Sequence, residues 1–131
     1  MIKTPINPQA MAANPAYSQA IAVSGLHTTI YIGGQNGVDA TGAIVDGGLA
    51  AQTTQALRNM ALVLETAGAG FNDVVKWSIN VVVGEDLRQA FAAFQAEVPH
   101  LSPAPAIGMA YVSGLGRPGF LIEIEAIAVV G

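Results

Sequence analysis

Apolar and polar positions change their spacing along the chain, and each spacing predicts a type of element. Five segments predict strands, either because β-branched residues are dense or because apolar and polar residues alternate. These segments are residues 19–24, 28–33, 74–83, 106–112 and 120–130. In the third segment one face of the predicted strand is formed by Val75, Trp77, Ile79, Val81 and Val83, with Val74 on the other face. Residues 4–16 show no period and are expected to form an irregular lead-in.

Two other segments have the period of an amphipathic helix. The first runs from Leu49 to a stop at Gly68, and Gln52 is predicted to lie on its polar side. Its apolar stripe comprises Leu49, Ala56, Leu57, Met60, Ala61 and Leu64. The second helix is expected to begin after Asp86, a residue suited to cap a helix N-terminus, and to end before Pro99.

The element order β-β-α-β-α-β-β predicts a single α+β domain over residues 1–131, with two helices on one face of a mixed sheet. In the last strand, the side away from the helices carries Leu121, Glu123, Glu125, Ile127 and Val129. That side is too apolar for a sheet face that contacts only water. We therefore expect another copy of the chain to cover the helix-free face.

The charge content supports the same expectation. Only 11% of the 131 residues are charged, whereas a small monomer usually carries about a quarter to a third on its surface. The net charge of −4 argues against nucleic acid as the main partner, and the absence of cysteine excludes disulfides and thiolate metal sites. Residues 1–5 lack the apolar stretch of a signal peptide, and no apolar run is long enough to span a bilayer. We expect a cytoplasmic protein with no membrane partner.

Glu123 and Glu125 are the strongest candidates for chemistry. Because they are two positions apart on a strand, they point to the same side, about 7 Å from each other. Apolar neighbours in a covered interface would desolvate Glu123 and favour its neutral form, which suits a general acid or base. The alternative is that both carboxylates lie at a solvated rim or pair with Lys76 or an arginine.

Other motifs favour structural roles. Residues 114–119 match GxGxxG, but a strand is predicted to follow them, so we interpret the segment as a hairpin loop and not as a dinucleotide site. His27 and His100 have no carboxylate three or four residues further along, so no metal site is expected. The spacing of Phe91 and Phe94 is more typical of a helix core face than of a ligand pocket.

Several segments, in order over nearly the whole chain, resemble the RidA/YjgF family of reactive-intermediate deaminases. The N-terminal one is similar to the family's Y-S-Q-A signature, the second to the end of its S-G-Q strand, and the last to its C-terminal I-E-I-E signature. The segments are Tyr17–Ala20, Gly34–Gln35, residues 55–68, Asp73–Lys76, Pro103–Ala104 and Ile122–Ala128.

The resemblance implies a chorismate-mutase-like fold assembled as a homotrimer around a central barrel, with small-molecule clefts between neighbouring subunits. Active members hydrolyse enamine and imine products of pyridoxal-phosphate enzymes, such as 2-aminoacrylate, without a metal or cofactor. By resemblance, Glu123 positions the attacking water. The other cleft positions are Tyr17, Gly34, Phe91, Pro105 and Ile107.

The chain departs from the family pattern where the substrate is held. Pro105 occupies the position of the arginine that binds the substrate carboxylate, Phe91 that of a helix asparagine, and Gly33 that of a serine. Because proline cannot supply a charge-assisted pair, we expect weak or absent activity on 2-aminoacrylate. Arg117 could replace the missing cation only if its loop folds back or a neighbouring subunit presents it.

Three functions stay open from the sequence. The first is an imine hydrolase whose substrate lacks an α-carboxylate or is larger and less polar. The second is a non-catalytic trimer that binds an apolar metabolite and regulates another process. The third is a ribonuclease that inhibits translation, which the acidic charge balance disfavours.

Overall fold

The computed structural model describes residues 1–131, the whole chain, as six strands, two α-helices and a short 3₁₀ helix at Phe71–Asp73. The strands are β1 (Ile2–Ile6), β2 (Ala20–Ser24), β3 (Thr28–Gln35), β4 (Val74–Val82), β5 (Ala106–Val112) and β6 (Ile122–Val130). The α-helices are α1 (Gly48–Thr66) and α2 (Leu87–Glu97). The predicted α+β class and element order are confirmed. The seven predicted elements occur in the predicted order, and one strand precedes them: β1 spans Ile2–Ile6 and overlaps the start of the lead-in predicted to be irregular, residues 4–16.

Four strands form a mixed sheet in the order β3-β6-β4-β5. Strand β6 is antiparallel to both of its neighbours, whereas β4 and β5 are parallel and are joined by the crossover helix α2. Strands β1 and β2 form a separate antiparallel ribbon. Strand β5 is an edge, so one side of its backbone has no partner within the protomer.

The connection over residues 113–119 does not form a hairpin, because β4 lies between β5 and β6. The hairpin prediction was wrong: turn composition shows that the chain changes direction but not which strands then pair. A strand does follow the GxGxxG segment, as predicted.

Helix α1 packs its apolar stripe on the sheet and contacts β3, β6 and α2. Its end is confirmed at the predicted glycine. Gly68 adopts a φ of 73°, and the Ala69 N–H donates a 2.8 Å hydrogen bond to the Leu64 carbonyl. This geometry satisfies carbonyls that the last helical turn would otherwise leave unpaired.

Gln52 was predicted to lie on the polar side of α1, but this prediction was wrong: the residue is only 3% exposed. Its side-chain nitrogen donates to the Gly119 carbonyl at 3.0 Å, and its side-chain oxygen accepts from the Leu121 N–H at 2.9 Å. The side chain thus supplies two hydrogen bonds to the backbone that leads into β6. Because its own polar atoms are satisfied by these bonds, the residue can be buried.

A bulge at the start of β4 changes which side chains face the core. The register of β4 against β6 shifts between Val74 and Lys76, so Val74 is buried and Val75 is only partly so. The predicted core face is confirmed for the middle of the strand, at Trp77, Ile79 and Val81. Neither helix combines the length and apolar character that a membrane crossing requires.

Candidate functional site

A cavity of about 860 Å³ lies on the helix-bearing side of the sheet, between α2, β5 and residues 14–17. Four of the positions that sequence reasoning singled out line it: Tyr17, Phe91, Pro105 and Ile107. They come from three separate parts of the chain. The structure therefore brings most of the predicted cleft residues together within one protomer.

Ser18 fixes the N-terminal wall of the cavity. Its backbone N–H donates to the Pro105 carbonyl at 3.1 Å, and its hydroxyl donates to the Ala104 carbonyl. Because Ser18 is 3% exposed, these bonds are shielded from water. They place Tyr17 beside the proline that precedes β5.

The inner wall of the cavity is aromatic. The Trp77 and Phe94 rings meet edge to face, with centroids 5.1 Å apart and planes at 81°. Phe91, one helical turn before Phe94, also lines the cavity and is 48% exposed. The core prediction is therefore confirmed for Phe94, which packs against the core, and wrong for Phe91. Its ring points into an open space because β5, the outermost strand, has no further element beside it.

The cavity wall carries no Lys, Arg, Asp or Glu. Its polar side chains are Asn14, Tyr17, Gln95 and His100. Pro105 is buried and offers neither a charge nor a donor. Nothing in the wall can form an ion pair with a carboxylate except a protonated His100, which lies exposed at the rim.

Glu123 lies on the opposite face of the sheet from this cavity. Its neighbour Ile124 is buried and pairs across the strands with Ile79, which lines the cavity. Since successive side chains of a strand alternate between faces, Glu123 points to the helix-free side. Glu125 points to that side too, as predicted, and is more exposed.

Gly34 touches the Glu123 side chain so closely that a Cβ atom at this position would overlap the carboxyl group. The carboxylate therefore lies over bare backbone at the point where the pairing of β3 with β6 is interrupted. The alternative of a salt bridge with Lys76 or an arginine is not seen in the protomer, whose two salt bridges are Arg58–Glu97 and Arg88–Asp86. Glu123 is partly exposed and not paired with a cation.

Arg117 lines neither region. Its guanidinium donates to the Gly42 carbonyl at 2.7 Å and stacks over the Phe120 ring at 5.4 Å. The first contact joins the cation to the loop that follows β3, and the second to the segment that leads into β6. Within one protomer, Arg117 does not reach the cavity wall.

The lining residues that sequence reasoning did not assign to a site include Asn14, Trp77, Gln95 and His100. Trp77 carried a core signal, which was correct, since it is 1% exposed, but the cavity reaches one side of its ring. His100 was weighed only as a metal ligand. The feature that could have indicated a site role is its position, between the end of α2 and the proline segment that leads to β5.

Comparison with known proteins gives consistent matches. The family model described as endoribonuclease L-PSP matches residues 7–130. The 2-iminobutanoate/2-iminopropanoate deaminase of Rattus norvegicus is 39% identical over 124 residues, covering 94% of this chain and 86% of the rat protein. The crystal structure of a conserved Rid-family protein from Yersinia pestis has a TM-score of 0.79 at 34% identity, covering 99% of this chain and 100% of that one. RidA from an Antarctic Psychrobacter has a TM-score of 0.71 at 34% identity, covering 93% and 94%.

Proposed function

Because the chain belongs to the endoribonuclease L-PSP family, also called RidA/YjgF, we propose that it hydrolyses an enamine or imine metabolite at a site shared by two protomers of a homotrimer. Similarity to imine deaminases over 94% of the chain supports a deaminase-type role. The residue-level proposal is that one protomer supplies the cavity and its neighbour supplies Glu123.

The observation that carries this proposal is the placement of Glu123 and the cavity on opposite faces of one sheet. Tyr17, Phe91, Pro105 and Ile107 line the cavity, and Glu123 points away from it. A sheet separates the two within a protomer. A second copy that packs on the helix-free face brings its own cavity rim towards Glu123, which completes the site and covers the apolar face.

The reaction needs only water and one carboxylate. Glu123 accepts a proton from a water molecule whose oxygen adds to the imine carbon, forming the new C–O bond. The proton then passes to the nitrogen as the C=N π bond breaks, which gives a carbinolamine. The carbinolamine hydroxyl next loses its proton to the nitrogen, its oxygen forms the carbonyl, and the C–N bond breaks to release ammonia. Water supplies every atom gained, so the step is balanced without an oxidant, a reductant or a cofactor.

We propose that 2-aminoacrylate is a poor substrate. Its carboxylate would enter a wall that has no Lys or Arg and has Pro105 where the family has its arginine. Removing the partner of a buried charge costs about 2–5 kcal/mol, or roughly thirty- to several-thousand-fold in affinity. The substrate that this wall favours is uncharged at the corresponding position.

The test is Glu123→Gln in the full-length protein, assayed for ammonia release from a panel of enzymatically generated imines. An amide cannot accept the proton from water, so we expect activity to fall by about 10²–10⁴-fold while the oligomer mass and thermal stability are kept. Glu125→Gln is the matched control on the same face of the same strand and should retain activity. Undiminished turnover by Glu123→Gln would refute the assigned role.

The second candidate is a binding trimer without turnover, and the absence of any charged side chain in the cavity wall favours it. In that case no imine of the panel would be hydrolysed by the wild-type protein, while a neutral apolar ligand would still bind. A ribonuclease role has the least support, because a binding site without cations cannot neutralise phosphates. RNA affinity measured across salt concentrations tests it.

A further inference from the structure

We infer that the cavity selects imines that carry an aryl group and no α-carboxylate, as formed when a primary aralkylamine loses two electrons and two protons to an amine-oxidising enzyme. The inference deepens the proposed function and depends on it for the reaction, but not for binding. It places this protein directly after an amine-oxidising reaction. Three properties of the cavity carry it.

The first property is the arrangement of aromatic rings. Trp77 and Phe94 already meet edge to face, and the half-exposed Phe91 ring lies one helical turn away on the same wall. Aromatic rings prefer edge-to-face or offset contacts, and a ligand ring placed against the exposed Phe91 ring would gain such a contact. Within the protomer, Phe91 is not part of the core and belongs to neither of the two aromatic pairs.

The second property is charge. A carboxylate moved against this wall would lose its water and find no Lys or Arg, and the one side chain able to pair with it, His100, lies exposed at the rim. A phenyl ring gives up nothing by leaving water. Ile107 and Met109 of β5 extend the apolar wall opposite α2. The wall therefore discriminates against amino-acid-derived imines and in favour of amine-derived ones.

The third property is the separation of apolar and polar lining. The ring-bearing wall lies against the sheet, while Tyr17, Gln95 and His100 provide polar atoms nearer the opening, where Gln95 and His100 are exposed. A ligand with one aryl end and one C=N end matches this polarity when the ring enters first. Its imine carbon then stays near the opening, where the Glu123 of a neighbouring copy can reach it.

Size is consistent with this class of substrate. Pockets that hold drug-sized ligands measure about 300–1,000 Å³, and this cavity, at about 860 Å³, is in that range. A three-carbon imine would leave most of it unfilled. An aralkyl imine uses the aromatic wall as well as the opening.

The binding test uses stable probes and the full-length oligomer. Trp77 is the only tryptophan of the chain and borders the cavity, so its fluorescence reports occupancy without added labels. We expect 2-phenylacetamide to produce a saturable change and pyruvate to produce none, with calorimetry as an independent measure of both affinities. Pyruvate binding as tightly as 2-phenylacetamide would overturn the inference.

The variant Phe91→Ala removes one ring from the wall. Because an aromatic pair contributes about 0.5–1.5 kcal/mol beyond its buried area, we expect the affinity for 2-phenylacetamide to fall roughly two- to tenfold. Leu62→Ala, a truncation of an exposed apolar residue on α1 outside the cavity, is the control and should leave the affinity unchanged. Equal affinities of wild type and Phe91→Ala would show that the ring does not hold the ligand.

The catalytic test compares the imine generated from 2-phenylethylamine with 2-aminoacrylate. We expect kcat/KM to favour the aryl imine by at least about thirtyfold, the lower limit for a carboxylate without its partner. Faster turnover of 2-aminoacrylate would overturn the inference and leave the proposed hydrolase intact. Binding of 2-phenylacetamide without turnover of either imine would support the aryl site and refute the proposed hydrolysis.

Discussion

The contact between Gly34 and Glu123 shows how a single hydrogen atom in place of a methyl group positions a carboxylate. A side chain at residue 34 would occupy the space that the Glu123 carboxyl group fills. The atoms in conflict are at the flexible end of a side chain, so an added methyl group would displace the carboxylate and not the backbone. Gly34 is thus a positioning residue for the proposed acid–base group.

Gly34→Ala is therefore expected to lower imine hydrolysis while leaving the free energy of unfolding nearly unchanged. Gly33→Ala is the matched control, because a Cβ there meets no atom within 4 Å and the backbone conformation suits alanine. Ammonia release and chemical denaturation, measured on both variants, check the prediction. Equal activity of the two variants would mean that the position of the carboxylate does not matter for turnover.

At the scale of elements, α2 is the crossover that carries Phe91, and its N-terminus depends on Asp86. The Asp86 carboxylate accepts a 3.1 Å hydrogen bond from the Arg88 N–H and lies 2.9 Å from the Arg88 guanidinium. The side-chain bond to Arg88 and the backbone bond together hold the pKa of Asp86 below its ordinary value of 3.8. A carboxyl group with a lowered pKa stabilises the fold above its unfolded-state pKa, and this contribution is lost as the pH falls through the folded-state pKa.

Asp86→Ala should consequently reduce thermal stability at neutral pH, since the helix loses its cap and the cation loses its partner. The difference from the wild type should shrink as the pH is lowered to 3.8 and below, where the wild-type carboxylate also becomes protonated. Unfolding temperatures measured across this range test the sign. Glu85→Ala, at the preceding residue, is a control that removes a carboxylate but no cap.

Local patterns predicted the elements better than they predicted their pairing. Gly68 predicts the end of α1 and Asp86 predicts the start of α2, because capping is decided within a few residues. The position of β5 beside β4, the burial of Gln52 and the bulge at Val74 depend on contacts between distant segments, which no window of sequence contains. The candidate site is a mixed case: resemblance supplied its residues, and strand alternation predicted that Glu123 lies on the helix-free face. Only the structure shows that Tyr17, Phe91 and Pro105 line one cavity on the other face.

At the scale of the whole molecule, we propose that two protomers together form each site. Co-expression of two variants, each defective in one half of the site, tests this proposal. We expect the wild-type protein to have a mass of about three times 13.4 kDa in solution. Glu123→Gln keeps the cavity and Phe91→Asp keeps the carboxylate, so co-expression should restore activity in mixed trimers. If each site takes its cavity and its Glu123 from different protomers, random assembly makes about a quarter of the sites wild-type. No recovery on mixing would place both halves of the site in one protomer.

Strand β5 leaves the protomer with an unpaired sheet edge. It is the edge of its sheet, and Ile107, Met109 and Tyr111 are exposed along it, so a newly made protomer offers a ready template for non-specific strand addition. The chain cannot protect this edge with charge, because β5 contains no Lys, Arg, Asp or Glu. The expected consequence is that an isolated protomer is prone to aggregate through this edge unless another strand covers it.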